Sequence, residues 1–266
     1  MGGLQDRVII ITGAASGIGL ATAKAALKEG ANVLGVDVVA EPPASLSEIN
    51  AGSDTDCHFS YHACDLTKAT SPAEVLATCR STFGGRIDVL FNIAGVMDHH
   101  GSVDTVTDSD WEKCMAINVT APVKLMREVI PAMRDQQQGV IVNMASRAGL
   151  SGAAAGVAYT ASKHAIIGVT KNVAWRFRDE NIRCIAVCPG GVGDTAIVSS
   201  VDPGSFDKEA MAKTMPIINA VYRQRNENFK AMMPEELAET LMFLVGEGCS
   251  RITGAVIPID DGWSTI

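Results

Sequence analysis

Three side chains that could carry out an alcohol–ketone redox reaction stand close together in the sequence. Tyr159 and Lys163 are four residues apart, so on a helix they lie on one face. Ser146 lies thirteen residues before the tyrosine, at the end of an apolar run that predicts a strand. An alcohol that gives up a hydride must also lose its hydroxyl proton, and a phenol with a pKa of about 10 is a poor base at neutral pH. We therefore expect the Lys163 ammonium to lower the pKa of Tyr159, and Ser146 to hydrogen-bond the substrate oxygen.

A glycine-rich loop adds a site for phosphate groups. Residues 13–19 lie between a predicted strand and a predicted helix and contain Gly13, Gly17 and Gly19 together with Ser16 and Ile18. Glycines allow a tight turn and the close approach of a pyrophosphate, and the free N–H groups at the start of a helix attract negative charge. In this strand–loop–helix context the pattern predicts a dinucleotide site.

Asp37 indicates which dinucleotide binds. It ends the second predicted strand, 18 residues after Gly19, where a carboxylate can accept hydrogen bonds from the adenosine ribose hydroxyls. The carboxylate would repel a 2′-phosphate, and no Lys or Arg stands in the loop or beside Asp37 to attract one. The sequence therefore predicts NAD(H) over NADP(H), and the nicotinamide cation would also favour the phenolate form of Tyr159.

The elements that must position these residues are short apolar runs alternating with helical patterns. This alternation predicts an α/β fold of the Rossmann type, a doubly wound parallel sheet of about seven strands with helices on both faces. We expect one domain over residues 1–266. The predicted strands are 7–12, 32–37, 58–64, 87–92, 140–145, 182–188 and 255–259. The predicted helices are 17–29, 72–83, 108–135, 159–179 and 234–246, with one irregular helical turn in 41–50.

The region 193–233 fits no strand–helix unit. It is rich in Met and Ile, and it follows the carboxyl end of a predicted strand. Long loops at this place in α/β folds are usually functional, so we expect a substrate-binding lid for a substrate with apolar surface. An ordinary pair of surface helices is the alternative.

Composition excludes several classes of protein. The net charge is −8, from 22 basic and 30 acidic residues without a basic block, which is atypical of nucleic-acid binding. No apolar run approaches the roughly 18–20 residues of a membrane span, and the first residues lack the pattern of a signal peptide. Seven cysteines without a CxxC spacing indicate free thiols in a reducing compartment, so we expect a cytoplasmic protein. The pair His99 and His100 is expected to face solvent or the rim of a cleft, and no metal site is predicted.

Taken together, these residues resemble the short-chain dehydrogenase/reductase family over essentially the whole chain. Residues 13–19 resemble its TGxxxGIG loop, and Ser146, Tyr159 and Lys163 stand at its catalytic spacing. The resemblance implies a fourth catalytic residue, Asn118, which holds a water of the proton relay. It also implies NAD-dependent interconversion of a secondary alcohol and a ketone on a small, partly apolar substrate. Through the helices 108–135 and 159–179, the resemblance implies a homo-oligomer, a dimer or tetramer.

The resemblance implies further contacts with the cofactor. Ile93 departs from its NNAG motif, and Asp194 stands where the family usually has Thr, so whether Asp194 or Thr195 contacts the cofactor amide stays open. The expected cofactor-binding residues are Gly13, Ser16, Gly17, Ile18, Gly19, Asp37, Asp65, Leu66, Asn92, Ala94, Gly95, Tyr159, Lys163, Pro189, Gly190, Val192 and Thr195.

Two other functions stay open on the sequence. A dinucleotide-binding sensor or scaffold would keep the fold and usually lose the Tyr or the Lys, and both are present here. A biosynthetic enzyme could use the same pocket for a step without redox chemistry, such as a cyclisation or isomerisation. Arg147, beside the candidate serine, is expected either to bind an acidic group of the substrate or to form a surface salt bridge.

Overall fold

Seven parallel strands form one sheet in a computed structural model that describes residues 3–46, 48, 58–197, 200–222 and 231–265. The strands are β1 Val8–Thr12, β2 Asn32–Asp37, β3 Phe59–Ala63, β4 Val89–Asn92, β5 Gly139–Met144, β6 Ile182–Pro189 and β7 Val256–Ile259. Their spatial order is β3-β2-β1-β4-β5-β6-β7, and every neighbouring pair is parallel. The central strands β1, β4, β5 and β6 are buried along their whole length, because both faces of the sheet are covered.

Helices cover both faces of the sheet, which confirms the predicted doubly wound α/β fold. The helices are α1 Gly17–Lys28, α2 Ser71–Phe83, α3 Asp108–Met115, α4 Ala121–Gln136, α5 Val157–Arg176, α6 Lys208–Tyr222 and α7 Pro234–Val245. One apolar core packs α2, α4 and α5 against the sheet, and the core on the opposite face packs α1 and α7. The small residues of α1, among them Ala23 and Ala26, let this helix lie close to the strands.

The predicted helix 108–135 is interrupted in its middle. A π-helical turn over Ala116–Thr120 separates α3 from α4, and the N–H of Ala121 donates to the carbonyl of Ala116, five residues earlier. The sequence contains the cause, because Pro122 has no N–H to donate to the carbonyl of Asn118. The chain thus stays helical over the predicted range, but its hydrogen bonding changes at a candidate catalytic residue, Asn118. Single π turns are frequent at functional sites.

The order of strands reverses between β1 and β4. Chain connections leave the sheet in opposite directions on the two sides of this point, so a crevice forms at the carboxyl ends of the two strands. The glycine-rich loop follows β1, and the segment 93–107 follows β4. This edge of the sheet is where the sequence-predicted residues gather.

The segment 193–233 is closed at its base and packs on a neighbouring loop. Val192 forms a parallel bridge with Met232, and the N–H of Gly193 donates to the carbonyl of Met232 at 2.9 Å. Further along, the N–H of Asp207 donates to the carbonyl of His99 at 2.8 Å, so the start of α6 contacts the loop that follows β4. Residues 198–199 and 223–230 of this segment, like residues 47 and 49–50 of the predicted turn, lie outside the described residues.

In the part of the chain that the structure describes, no helix is both long enough and apolar enough to cross a membrane.

Candidate active site

The glycine-rich loop is packed so tightly that its glycines cannot be replaced without displacing neighbours. A methyl group at Gly19 would overlap the carbonyl group of Gly13, and one at Gly13 would lie 3.0 Å from the backbone nitrogen of Ala94. Gly13 and Gly17 also have positive φ values of 73° and 49°, which glycine adopts at the least cost. The loop leads into the N-terminus of α1, where Ser16 is exposed and makes no capping hydrogen bond with the N–H groups of the first turn.

Thr12 joins the glycine-rich loop to the segment after β4. Its Oγ1 accepts hydrogen bonds from the N–H groups of Ile93 and Ala94, both at 3.0 Å. Thr12 is 1% exposed, and both donors are partly buried, so removal of the hydroxyl would leave these N–H groups without their acceptor. Sequence reasoning did not single out this threonine as the residue that connects the two motifs.

Asp37 lies against the glycine-rich loop, as its place at the end of β2 predicts. Its Oδ2 accepts a hydrogen bond from the Ala15 N–H at 2.9 Å, and its Oδ1 accepts from the Val39 N–H at 3.2 Å. The carboxylate is partly exposed. A negative charge is therefore fixed beside the phosphate loop.

Tyr159, Ser146 and Lys163 converge at the carboxyl ends of β5 and β6. Ser146 hydrogen-bonds the phenol of Tyr159, and its Oγ also accepts from the Ala148 N–H at 3.1 Å, which fixes the serine at the start of a short 3₁₀ turn. The Lys163 Nζ lies 5.3 Å from the centroid of the Tyr159 ring. The structure thus brings together the three residues that the sequence spacing selects.

In the protein without ligands, burial is the main influence on the pKa values of Tyr159 and Lys163. It raises the pKa of Tyr159 to about 12, although the hydrogen bond from Ser146 acts in the lowering direction. It lowers the pKa of Lys163 to about 8, and the ammonium donates to the carbonyl of Met144 at 2.8 Å. In the protein without ligands, burial therefore opposes the lowering of the Tyr159 pKa that is expected from Lys163 and the nicotinamide cation together.

Asn118 joins the site through hydrogen bonds that occupy its side chain. Its Oδ1 accepts from the Val96 N–H at 3.0 Å, and its Nδ2 donates to the Val96 carbonyl at 2.9 Å and to the Ser162 Oγ at 3.0 Å. Ser162 in turn donates to the carbonyl of Tyr159 at 2.7 Å. The amide of Asn118 therefore ties the loop after β4 to the tyrosine-bearing helix, and Pro122, four residues later, has no N–H to donate to the Asn118 carbonyl.

The remaining candidate residues divide between the edge of the site and the interior. Asp65 accepts from the N–H and Oγ1 of Thr67 at 2.9 and 2.7 Å, which lowers its pKa, and this loop lies at the carboxyl end of β3. Leu66 is buried in the core. The Asn92 Nδ2 donates to the Asn143 Oδ1 at 2.8 Å inside the sheet, so this side chain fastens β4 to β5 rather than pointing to the phosphate loop.

The loop after β6 contacts the glycine-rich loop through Thr195. A methyl group at Gly17 would lie 3.2 Å from the Cα of Thr195, whereas Asp194 adopts a positive φ of 46° that turns the chain before it. Pro189 ends β6, and the N–H of Gly190 donates to the Ile259 carbonyl at 2.9 Å. Of the two alternatives, Thr195 is the residue that lies beside the phosphate loop. A methyl group at Gly95 would lie 3.5 Å from the Lys163 Nζ, so that glycine borders the catalytic pair.

Two neighbours of the candidate residues differ from expectation. The histidines are partly exposed, and His99 pairs with Asp110 at 2.5 Å, but Asp98 before them is 1% exposed and accepts from the Tyr159 N–H at 2.9 Å. Nothing in the local sequence distinguishes Asp98 from a solvent-exposed loop residue. Arg147 is buried with its guanidinium 5.4 Å from the centre of the Trp263 ring, so of its two expected roles the one at the surface does not fit this position. Among the described residues, no cluster of three or more His, Cys, Asp or Glu side chains could hold a metal ion.

Comparison with known proteins places this geometry in a family. The family model described as short chain dehydrogenase matches residues 7–205. The chain belongs to this family. The short-chain dehydrogenase/reductase olcF of Penicillium canescens is 61% identical over 266 residues, which cover 100% of both chains. The asnovolin H dehydrogenase nvfC of Aspergillus novofumigatus is 54% identical over 266 residues, also covering 100% of both chains. Among solved structures, levodione reductase superposes with a TM-score of 0.84 at 28% identity and 98% coverage of each chain.

Short-chain dehydrogenases are oxidoreductases of small molecules, and their Rossmann fold implies a nicotinamide dinucleotide as cofactor. The residues of this chain fit such a group. Gly13, Gly17 and Gly19 let the loop pack without side chains, and the loop leads into the N-terminus of α1, where Ser16 makes no side-chain cap and the dipole favours a phosphate group.

Proposed function

We propose that this short-chain dehydrogenase interconverts a secondary alcohol and a ketone on a small, partly apolar substrate, with NAD(H) as its cofactor. The observation that carries the proposal is the convergence of Tyr159, Ser146 and Lys163 at the edge of the sheet that carries the phosphate loop. When bound, the nicotinamide ring accepts or supplies the hydride.

Tyr159 acts as the general acid and base. Its phenol donates a proton to the carbonyl oxygen during ketone reduction, and its phenolate accepts the hydroxyl proton during alcohol oxidation. Ser146 donates a hydrogen bond that orients the same oxygen. Because burial raises the pKa of Tyr159 to about 12, the protein alone keeps the phenol protonated and ready to act as an acid. The oxidising direction needs the positive charges of Lys163 and the bound cation to favour the phenolate.

Lys163 and Asn118 support the proton transfer. The buried ammonium of Lys163 borders Gly95 and the Tyr159 ring, and we assign it the dual role of holding the nicotinamide ribose when the cofactor binds and of tuning Tyr159. We assign the relay water to the backbone carbonyl of Asn118, since the side-chain amide is already hydrogen-bonded to Val96 and Ser162.

Asp37 supports the choice of NAD(H). Its carboxylate is held beside the phosphate loop by the Ala15 N–H, where it would accept hydrogen bonds from a ribose diol and repel a 2′-phosphate. The remaining cofactor contacts are assigned to Ser16 and Ile18 of the loop, Asp65 and Leu66 at the adenine, and Ala94, Pro189, Gly190, Val192 and Thr195 along the cofactor path.

Apolar side chains around Tyr159 support a substrate with apolar surface. The cluster that contains Tyr159 is packed by partly buried apolar residues of three segments, Val96 and Met97, Ala154 and Ala155, and Ile197 of the segment 193–233. On α6, the partly buried residues Met211, Met215 and Ile218 recur at helical spacing, so they share one apolar face of that helix. We propose that the segment acts as a lid over the substrate within a single domain.

The assembly and compartment follow from surface and composition. α5 exposes Trp175 at 69% and α7 exposes Phe243 at 61%, which favours a homo-oligomer that covers them. Size-exclusion chromatography with light scattering tests this, and a monomer at micromolar concentration would contradict it. Six described cysteines are free thiols, which fits the reducing cytoplasm.

A turnover assay tests the function. Nicotinamide absorbance is followed with NAD(H) and NADP(H) in parallel on apolar secondary alcohols and ketones, including asnovolin H and levodione, the compounds in the names of the relatives. Tyr159→Phe removes the acid and leaves the ring, so it should abolish turnover while NADH fluorescence still reports binding. Turnover that survives in Tyr159→Phe contradicts the mechanism. A preference for NADP(H) contradicts the role of Asp37, and Asp37→Ser should weaken that discrimination.

A further inference from the structure

The loop after β4 carries a carboxylate that the turnover chemistry does not use. Asp98 is 1% exposed, and its two oxygens accept three backbone N–H groups. Oδ2 accepts from Tyr159 at 2.9 Å, and Oδ1 accepts from Gly156 and from His100, each at 3.2 Å. We propose that Asp98 is a positioning residue that fixes the first turn of α5, and with it Tyr159, on the substrate-side loop, an inference that rests on the proposed role of Tyr159.

Asp98 supplies the cap that α5 lacks in its own sequence. The helix begins after Gly156, which has no side chain to bond the free N–H groups of the first turn. A serine or aspartate at that position would bond the N–H of the third helical residue, which here is Tyr159 itself. Asp98 makes this bond from 61 residues away, so the cap also connects two parts of the chain.

The contact between Asp98 and the start of α5 depends on glycine at position 156. A methyl group at position 156 would lie 2.6 Å from the Cγ of Asp98, so only glycine lets the carboxylate approach the end of the helix. A glycine at the start of the helix and a buried aspartate in the distant loop thus form one unit, which no local pattern indicates.

The same carboxylate fixes the loop on its other side. His100 has a positive φ of 63°, and its N–H bonds to Asp98, which stabilises the turn. The neighbouring His99 ring pairs with Asp110 of α3 at 2.5 Å. The loop is thereby held between α3 and α5, and Met97 of the same loop contributes to the apolar cluster around Tyr159.

The charge of Asp98 also acts on the phenol. Three groups from other elements face Tyr159: Ser146 lowers its pKa, whereas Cys114 on α3 and Asp98 raise it, after burial as the first cause. Lys163, on the same helix as the phenol, lies over the ring. Removing the carboxylate charge should therefore ease ionisation of Tyr159 in addition to loosening its position.

The test compares two buried aspartates. Asp98→Asn keeps the shape but removes the charge and leaves only one accepting oxygen. Asp88→Asn is the matched control, because Asp88 is 3% exposed and accepts from the Val8 N–H at 2.9 Å at the opposite edge of the sheet. Both variants are made beside Tyr61→Phe and Tyr222→Phe, which leave Tyr159 as the sole tyrosine of three. The NMR signal of ¹³C-labelled tyrosine then reports its ionisation without need of turnover.

Asp98→Asn should lower kcat by roughly tenfold to a hundredfold, the range expected when a catalytic group is misplaced, with NADH affinity changed less than about twofold. It should also increase the phenolate fraction of Tyr159 at pH 10.5. Asp88→Asn should lower the melting temperature and leave kcat and the tyrosine signal as in the parent protein. Gly156→Ala, which displaces the carboxylate but keeps its charge, should lower kcat as well.

Equal kcat and tyrosine ionisation in Asp98→Asn and the parent protein would overturn the proposal, as would the same changes in Asp88→Asn. If Asp98→Asn does not fold, Gly156→Ala decides the matter by its kcat, and an unchanged value refutes the positioning role. A parent protein without turnover contradicts the proposed function. In that case the NMR signal of Tyr159 still decides whether Asp98 acts on this residue. The signal in Asp98→Asn, or in Gly156→Ala, is compared with the signal in the parent protein.

Discussion

Replacing Lys163 by methionine should stabilise the protein at neutral pH while destroying its proposed activity. The side chain is 2% exposed, and methionine has similar length and no charge to bury. Burial lowers the pKa of Lys163 from 10.5 to about 8, with Cys114 and Cys188 acting in the raising direction. One pKa unit corresponds to about 1.4 kcal/mol, so keeping this ammonium in the folded protein costs about 3 kcal/mol at pH 7.

The variant also removes the donor to the Met144 carbonyl, which the Lys163 Nζ supplies at 2.8 Å. A buried carbonyl without its donor costs about 1–3 kcal/mol, so the net gain in Lys163→Met at pH 7 is about 1 kcal/mol. The dependence on pH is larger than this net gain. Between about pH 8 and 10.5 the unfolded chain binds the proton and the folded protein has released it, so stability of the parent protein rises with pH relative to the variant.

Urea unfolding from pH 7 to 9.5 measures this difference. The free energy of unfolding of Lys163→Met relative to the parent protein should fall by about 2 kcal/mol over this range. The control is Lys171→Met, on the exposed face of the same helix, which should change stability little and equally at every pH. A difference between Lys163→Met and the parent protein that does not depend on pH would refute the reasoning, because it would show that burial does not disfavour the ammonium.

Three further predictions concern the packing around the site. Gly19→Ala should weaken NADH binding, measured by fluorescence, by more than about a hundredfold, because the added methyl group overlaps the loop backbone. The control Gly85→Ala, which has open space around it, should leave NADH binding unchanged. Thr12→Val should cost about 1–3 kcal/mol of unfolding free energy, since it leaves two partly buried N–H groups without their acceptor, and a loss below about 0.5 kcal/mol would contradict this. Asn143→Leu should lower the melting temperature because it removes the buried acceptor of the Asn92 amide. Thermal unfolding followed by circular dichroism measures the melting temperature, and an unchanged value would contradict the prediction.

Sequence reasoning worked best where the chemistry is carried by local spacing. The four-residue interval between Tyr159 and Lys163 places them on one face of α5 in any helix, and the apolar runs become strands because both faces of a parallel sheet are buried. The strand–glycine–helix pattern likewise needs no distant contact to form. These features determined the fold class, the family and the residues proposed for catalysis.

The tertiary structure decided the features that depend on contacts between distant parts of the chain. The helical segment 108–135 contains a π turn around Asn118. Pro122 stands in the sequence, but the sequence did not show which turn of the helix would change. In the protein without ligands, burial raises the pKa of Tyr159, and this burial comes from elements distant in sequence that pack around the ring. The spacing of residues along one helix predicts which charges lie near a titratable group. It does not predict whether the rest of the fold excludes water from that group.

The sequence by itself therefore determined which residues could move a proton and a hydride, because helix and strand periodicities bring near neighbours together. Only the folded chain decided what holds those residues in place. Asp98 caps the helix of Tyr159 from 61 residues away, and Thr12 holds the segment after β4 from 81 residues away. The physical reason is that a buried backbone N–H needs an acceptor of any origin, and the one it finds is set by the packing of the whole fold.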